Sequence, residues 1–399
     1  MRKNMKRILA LLMALAMVAS MSCISAFATA RYPAVQDASE LGYTSYFCFG
    51  DSIATGYLSE QSDEDMKNVN IIQTKRDGET TTNAYPTMIA DALGIDFKDN
   101  PFGYYGNSNT AKDNEAWSWK KARYGFYNYA RDGYTSHEFR RLIDDSYYNQ
   151  MTDDQKNISD NTILGGDFTK NGMAGFHTMQ KHVAYDMSQA DVITINLGSN
   201  DLMFYPMQKM TAILQDQTIE NAFNAALSTV GLAGAFDAVV NAAAMVGKLP
   251  ILLATLAKES SEANACFAEN WDAILKYVNE HKKPEAQIYV ANIYNSNANL
   301  KLTSTSNLRI GELVGLASQQ VNQVITTTSA YRGTYTVVDV TGVEDYLPEW
   351  EPLDQWSNAL SEGYFYTMFM VCAHPRKDGQ MYIANEFVKA MKANAVTIG

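Results

Sequence analysis

The chain is 399 residues long and carries 32 basic against 44 acidic side chains, a formal net charge of −12 at pH 7. That acidic balance argues against nucleic acid or an anionic membrane surface as the main partner. The length admits one large domain or two modest ones.

The first residues, MRKNMKRILALLMALAMVASMSCISAFATA, have the form of a secretion signal. Arg2, Lys3, Lys6 and Arg7 make a basic start, Ile8 to Met21 an apolar stretch, and Ala26-Phe27-Ala28 a small-residue cleavage site. A signal peptide over 1–28 is expected, with Ala28-Thr29-Ala30 as a second place for the cut. The apolar stretch is short for a membrane span, and Ser20, Met21 and Ser22 ahead of Cys23 fit a lipoprotein anchor poorly. The leader takes four of the 32 basic residues and no acid, so the remainder, 28 against 44, is more acidic still. This suits a soluble exported protein. Cys48, Cys266 and Cys372 follow the leader. An odd number implies no disulfide framework, and three small buried apolar side chains are expected.

Beyond the leader, five short runs rich in Ile, Val, Tyr or Phe end at turn residues: 46–49, 125–129, 192–197, 288–294 and 335–340. Each has strand length. Helical period marks 136–145, 221–246, 263–281 and 308–326, and 379–396 closes the chain as a helix. Strands alternating with helices predict an α/β fold: a doubly wound three-layer α/β/α sandwich with about five parallel strands, binding its ligands beyond their carboxyl ends. One domain is expected over 40–399, with two insertions. Residues 59–120 are polar, loop-rich and aromatic, with Tyr104, Tyr105, Trp117 and Trp119. Residues 205–280 are mostly helical and apolar; Asp237, Lys248 and Pro250 speak against a stable membrane span. Two readings of this helical insertion stand: a buried hairpin, or a mobile apolar lid.

Four segments carry chemistry. The first run ends in FGDS, so Ser52 follows a strand and opens a helical pattern, with its own N–H at the helix start. The second leads into NYARDGYTSHEF: Gly133 permits close backbone approach, and Thr135 and Glu138 are spaced as a capping box, so a helix begins just after it. The third ends INLGSNDL, where Gly198 allows a tight turn and Asn200 offers an amide donor. Near the C-terminus, His374-Pro375 precedes the final helix, with Gly379 supporting the turn. Each alone has a bland explanation as a turn glycine, a cap or a surface imidazole. The ordered set, each member at a strand end or just before a helix, does not.

This set resembles the SGNH hydrolases, also called the GDSL family of esterases and lipases. All four blocks are present: FGDS with Ser52, NYARDG with Gly133, GSND with Asn200, and HP with His374. The resemblance implies a flavodoxin-like sheet and serine-dependent hydrolysis of small or lipid-like esters. It also implies an oxyanion hole of the Ser52 N–H, the Gly133 N–H and the Asn200 amide. Ser52 as nucleophile with His374 as general base and acid is sufficient chemistry without a metal or cofactor. His137, His177, His182 and His281 show no metal-ligand spacing and are expected to be surface or structural. Asp51 and Asp201 are expected to shape turns by bonding backbone N–H groups.

One departure concerns His374. The family pattern has an aspartate three residues before it, and here that residue is Val371. Either a backbone carbonyl near Val371 orients the ring, leaving a Ser52–His374 dyad, or an acid from Asp345, Glu349, Glu351 and Asp354 does. The expected substrate is a small-molecule, lipid or acylated-carbohydrate ester. A rival reading is a non-catalytic binding protein on the same scaffold; a thioesterase or transferase is a third.

Overall fold

The computed structural model describes residues 34–57, 59, 83–95, 125–164, 172–202, 248–296, 298, 310–347 and 374–398. The expected signal peptide, the aromatic stretch 101–120, the apolar stretch 203–247, Cys372 and Val371 lie outside them.

Five strands form one sheet: β1 (Tyr46–Gly50), β2 (Phe126–Asn128), β3 (Val192–Asn196), β4 (Gln287–Ala291) and β5 (Thr336–Val338). All pairs are parallel and the order is β2-β1-β3-β4-β5. The five runs legible in the sequence are these five strands. Four of the strands stop earlier than their hydrophobic runs. Tyr129, Leu197, Ile293, Tyr294 and Val340 lie beyond the strand ends and are buried in the loops.

Burial on both faces explains why the strands read as continuous apolar runs rather than alternating ones. In β1, Phe47 and Phe49 point into one layer and Tyr46 and Cys48 into the other. The first layer holds Phe139, Val183, Phe267, Trp271 and Val321 from helices α3 (Ser136–Ile143), α5 (Gly172–Gln189), α6 (Lys248–His281) and α7 (Ile310–Gln323). The second holds Ile53, Ile89, Ile383, Phe387 and Met391 from α1 (Ser52–Thr55), α2 (Tyr85–Ala92) and α8 (Lys377–Ile398). One further helix, α4 (Asp153–Leu164), packs against α5.

Several helices differ from the sequence expectation. Tyr85–Ala92 lies within the segment read as a loop-rich insertion, yet it is a helix of the second layer, with Tyr85 stacked on Phe387 of α8 at 5.4 Å between ring centres. The end of the apolar insertion, 248–280, belongs to a 34-residue helix. Its second half is the cover between β3 and β4, with Ala263, Phe267, Trp271, Ile274, Leu275 and Val278 buried at helical spacing. Helix α7 runs on into a wider turn, Val324–Thr328, closed by Ser329 N–H donating to the Val324 carbonyl at 3.1 Å. Gly379 is not in a turn but in the first turn of α8, where a Cβ would come within 2.5 Å of Pro375. Cys48 is buried, as expected, but Cys266 is half-exposed on α6; both are free thiols. Among the described residues, no helix is long and apolar enough to cross a membrane.

Phe387 is fully buried between α2 and the sheet. Phe387→Ala is therefore expected to cost about 3–5 kcal/mol in urea unfolding, and a loss below 1 kcal/mol would place this helix outside the core.

Candidate active site

The strand order reverses direction of growth between β1 and β3, so the carboxyl ends of β1, β2 and β3 open onto one crevice. Gly50 at the end of β1 is in register with Asn196 at the end of β3. Each element delivers one part of the site there.

Ser52 is the first residue of α1. Asp51 caps this helix, its Oδ1 accepting the Ile53 N–H at 2.9 Å. The chain therefore turns directly from the strand into the helix. Ser52 Oγ lies 2.7 Å from His374 Nε2, across 322 residues of sequence, and both residues are nearly fully buried. His374 is held by the start of α8. The Lys377 N–H donates to the Ser59 carbonyl at 3.1 Å. Gln380 donates to the Ile53 carbonyl at 3.0 Å and accepts the Tyr85 N–H at 2.9 Å. One buried amide thus ties α8 to both α1 and α2. The Tyr57 ring meets the imidazole edge-on at 4.8 Å. Gln380 and Tyr57 carried no signal in the sequence, because a single Gln or Tyr in a helical pattern is ordinary.

Gly133 follows β2 in the left-handed region, at φ 76°, a conformation that disfavours a side chain. Thr135 and Glu138 form the capping box their spacing predicts, so α3 starts three residues after Gly133. The Arg131 N–H donates to the Gly50 carbonyl at 3.0 Å, and the Thr55 hydroxyl bonds Asp132. These bonds fix the Gly133 turn against the Ser52 helix. Asn200, buried beyond β3, donates one amide hydrogen to the Tyr134 carbonyl at 3.0 Å, leaving the other. Neither the Ser52 N–H nor the Gly133 N–H has a hydrogen-bond partner among the described residues. Backbone N–H groups within a fold are rarely left unpaired, so both donors are open to a ligand's acceptor.

Asp51 and Asp201 both bond backbone N–H groups. Asp51 bonds its own helix; Asp201 instead reaches the Ser136 N–H at 2.9 Å, 65 residues away. Burial pushes each carboxyl up to about 7, partly opposed by those donors. The second oxygen of Asp51 has no partner among the described residues. His137 is fully buried, its Nδ1 2.6 Å from the Tyr147 hydroxyl, and burial lowers it to about 4. It is structural rather than a surface residue. Asp345 is exposed; Glu349, Glu351, Asp354 and Val371 lie outside the described residues. Among the described residues, no cluster of His, Cys, Asp or Glu is placed to hold a metal ion.

A family model, described as GDSL-like Lipase/Acylhydrolase, matches residues 46–387. Solved structures similar to this chain include a phospholipase A1 from Streptomyces albidoflavus NA297, 15% identical with a TM-score of 0.40, covering 88% of this chain and 99% of that one. An extracellular lipase from Streptomyces rimosus is 14% identical, with a TM-score of 0.40 over 88% of this chain and 99% of that one. The lipase Lip_vut3 from a goat rumen metagenome is 13% identical, with a TM-score of 0.37 over 87% and 96%. No curated protein matches by sequence.

The raised carboxyl of Asp51 has a consequence for stability. Its value is about 7 when folded and near 3.8 when unfolded, so the folded state holds the proton more tightly. Asp51 thus stabilises the fold at low pH, and that contribution is lost as pH rises from about 4 to 7. Asp51→Asn keeps the cap to Ile53 and cannot ionise. Its stability relative to the parent is expected to rise across that window, by up to about 1.4 kcal/mol per pH unit, in urea unfolding from pH 4 to 8. A flat difference would mean that Asp51 is ionised throughout.

Proposed function

From the premise that the chain belongs to the GDSL-like lipase/acylhydrolase family and hydrolyses ester bonds, we propose that Ser52 is the nucleophile and His374 its general base and acid. The observation that carries this reading is the 2.7 Å contact between Ser52 Oγ and His374 Nε2.

Ser52 Oγ attacks the ester carbonyl as its proton passes to His374 Nε2. This direction needs the ring's own proton on Nδ1. The carbonyl oxygen becomes an oxyanion, and the Ser52 N–H, the Gly133 N–H and the free amide hydrogen of Asn200 receive it. Because these donors are already oriented, little reorganisation accompanies the developing charge. His374 then returns the proton to the departing alcohol. Water, activated by the same imidazole, releases the acid and restores Ser52.

Orientation of His374 is proposed to come from a backbone carbonyl near Val371, giving a dyad. The substrate class is proposed to be small-molecule or lipid esters, with acylated carbohydrates as the nearest alternative. The basic, apolar and small-residue order of 1–30 supports export after removal of a signal peptide.

Ser52→Ala and His374→Ala are each expected to lower kcat on p-nitrophenyl acetate by about 10⁴-fold or more. Asn200→Ala should lower it by about 10²–10³-fold. A fluorophosphonate probe should label the parent protein and not Ser52→Ala. Failure to label the parent, together with no turnover of p-nitrophenyl acetate, p-nitrophenyl palmitate or acetylated xylan, would return the chain to a binding role. Glu351→Ala and Asp354→Ala should keep most activity; a loss as deep as that of His374→Ala in either would replace the dyad by a triad.

A further inference from the structure

The proposed oxyanion hole takes its donors from loops after three different strands. Strand β2 does not neighbour β3, because β1 lies between them. No ladder hydrogen bond therefore sets the Gly133 turn, which follows β2, against Asn200, which follows β3. Side chains do this instead. Asn200 holds the Tyr134 carbonyl, and the Asp201 carboxylate receives the Ser136 N–H at 2.9 Å and the Ser136 hydroxyl at 2.5 Å.

The Ser136 hydroxyl has one proton, and its direction decides whether this clamp closes. Asn270, on α6 and almost fully buried, sets that direction. Its Nδ2 donates to Ser136 Oγ at 2.9 Å, which leaves the hydroxyl proton for Asp201. Its Oδ1 accepts from Arg140 Nη1 at 3.0 Å. A guanidinium only donates, so this contact fixes which end of the amide faces Ser136. Arg140 is itself held by Glu269 at 2.7 Å and lies 4.0 Å over the Tyr147 ring. The second hydrogen of Nδ2 faces His137 Nδ1 at 3.1 Å.

We propose that Asn270 is a positioning residue for the oxyanion hole: through Ser136 and Asp201 it sets the Asn200 amide against the Gly133 N–H. The proposal rests on the hydrolytic reading of Ser52 and deepens it. The hydrogen bonds of Asn270 go to Ser136, Arg140 and His137, so its effect passes through two intervening side chains. A buried polar chain of this kind is rigid when every member is satisfied and loosens when one link is cut.

The test is a kinetic cycle on p-nitrophenyl acetate, with urea unfolding of every variant. Asn270→Ala is expected to lower kcat by roughly 10–100-fold while KM stays within about threefold. Asn270→Asp keeps the volume and the Arg140 contact but cannot donate to Ser136, and it should behave the same way. Ser136→Ala cuts the chain at its next link and covers the case in which the Asn270 variants fail to fold. In an Asn200→Ala background, Asn270→Ala should add less than about twofold, because the group it positions is already gone. Unchanged kcat in the folded variants overturns the proposal, and so does a double variant in which the two losses multiply. Hydrolysis surviving in Ser52→Ala would instead remove the reading on which it rests.

Discussion

Everything in the site depends on β1 being hydrogen-bonded on both edges while buried on both faces. Tyr46 is in register with Phe126 of β2 on one side and with Val192 of β3 on the other. Its side chains enter both layers, so the strand can neither slip by one residue nor leave the sheet without moving a set of buried aromatics. That constraint aligns three carboxyl ends to within a residue or two. A hydroxyl, a glycine turn and an amide then meet although 148 residues separate the first from the last. The fourth part arrives differently. His374 comes not from a strand but from the start of α8, and Gln380 and Lys377 fix that helix against α1 and the loop after it. The second layer, with Phe387 on Tyr85, therefore sets the place of His374 as well as the fold.

The electrostatics around the crevice work against stability. Asp51 and Asp201 are buried carboxyls whose protons are held up to about 7. Glu138 is buried in the capping box of α3, and one of its oxygens has no partner among the described residues. Burying groups of this kind without full compensation costs free energy. Helix caps set the turns here: the Asp51 cap starts α1 at Ser52, and the Thr135–Glu138 box starts α3 just beyond Gly133.

The fold class was legible because the strands are buried on both faces. Such strands become unbroken apolar runs, and all five could be found. Their ends were less clear, because Ile293, Tyr294 and Val340 are as apolar as the strand residues and lie buried in the loops beyond. Helices α2, α4 and α5 were missed for other reasons. Tyr85–Ala92 is eight residues long in a polar stretch, and α4 is mostly polar; α5 does place Phe176, Met179, Val183 and Met187 at helical spacing in the core, among polar neighbours that obscure it. The second half of α6 was visible as a helix, but its place between β3 and β4 was not, since the apolar composition before it drew attention to an insertion.

Local chemistry is what the order of residues determined by itself: a serine after FGD, a glycine before a capping box, an amide after GSN and an imidazole before proline. These follow from short-range rules of turns and caps, which act within a few residues. Which of them touch is another matter. The 2.7 Å contact of Ser52 with His374 spans 322 residues. The chain from Asn270 through Ser136 to Asp201 draws on three segments that are separately unremarkable polar positions. Only packing decides that an asparagine on one helix orients a hydroxyl on another, because its cause is the distance between layers rather than any pattern along the chain.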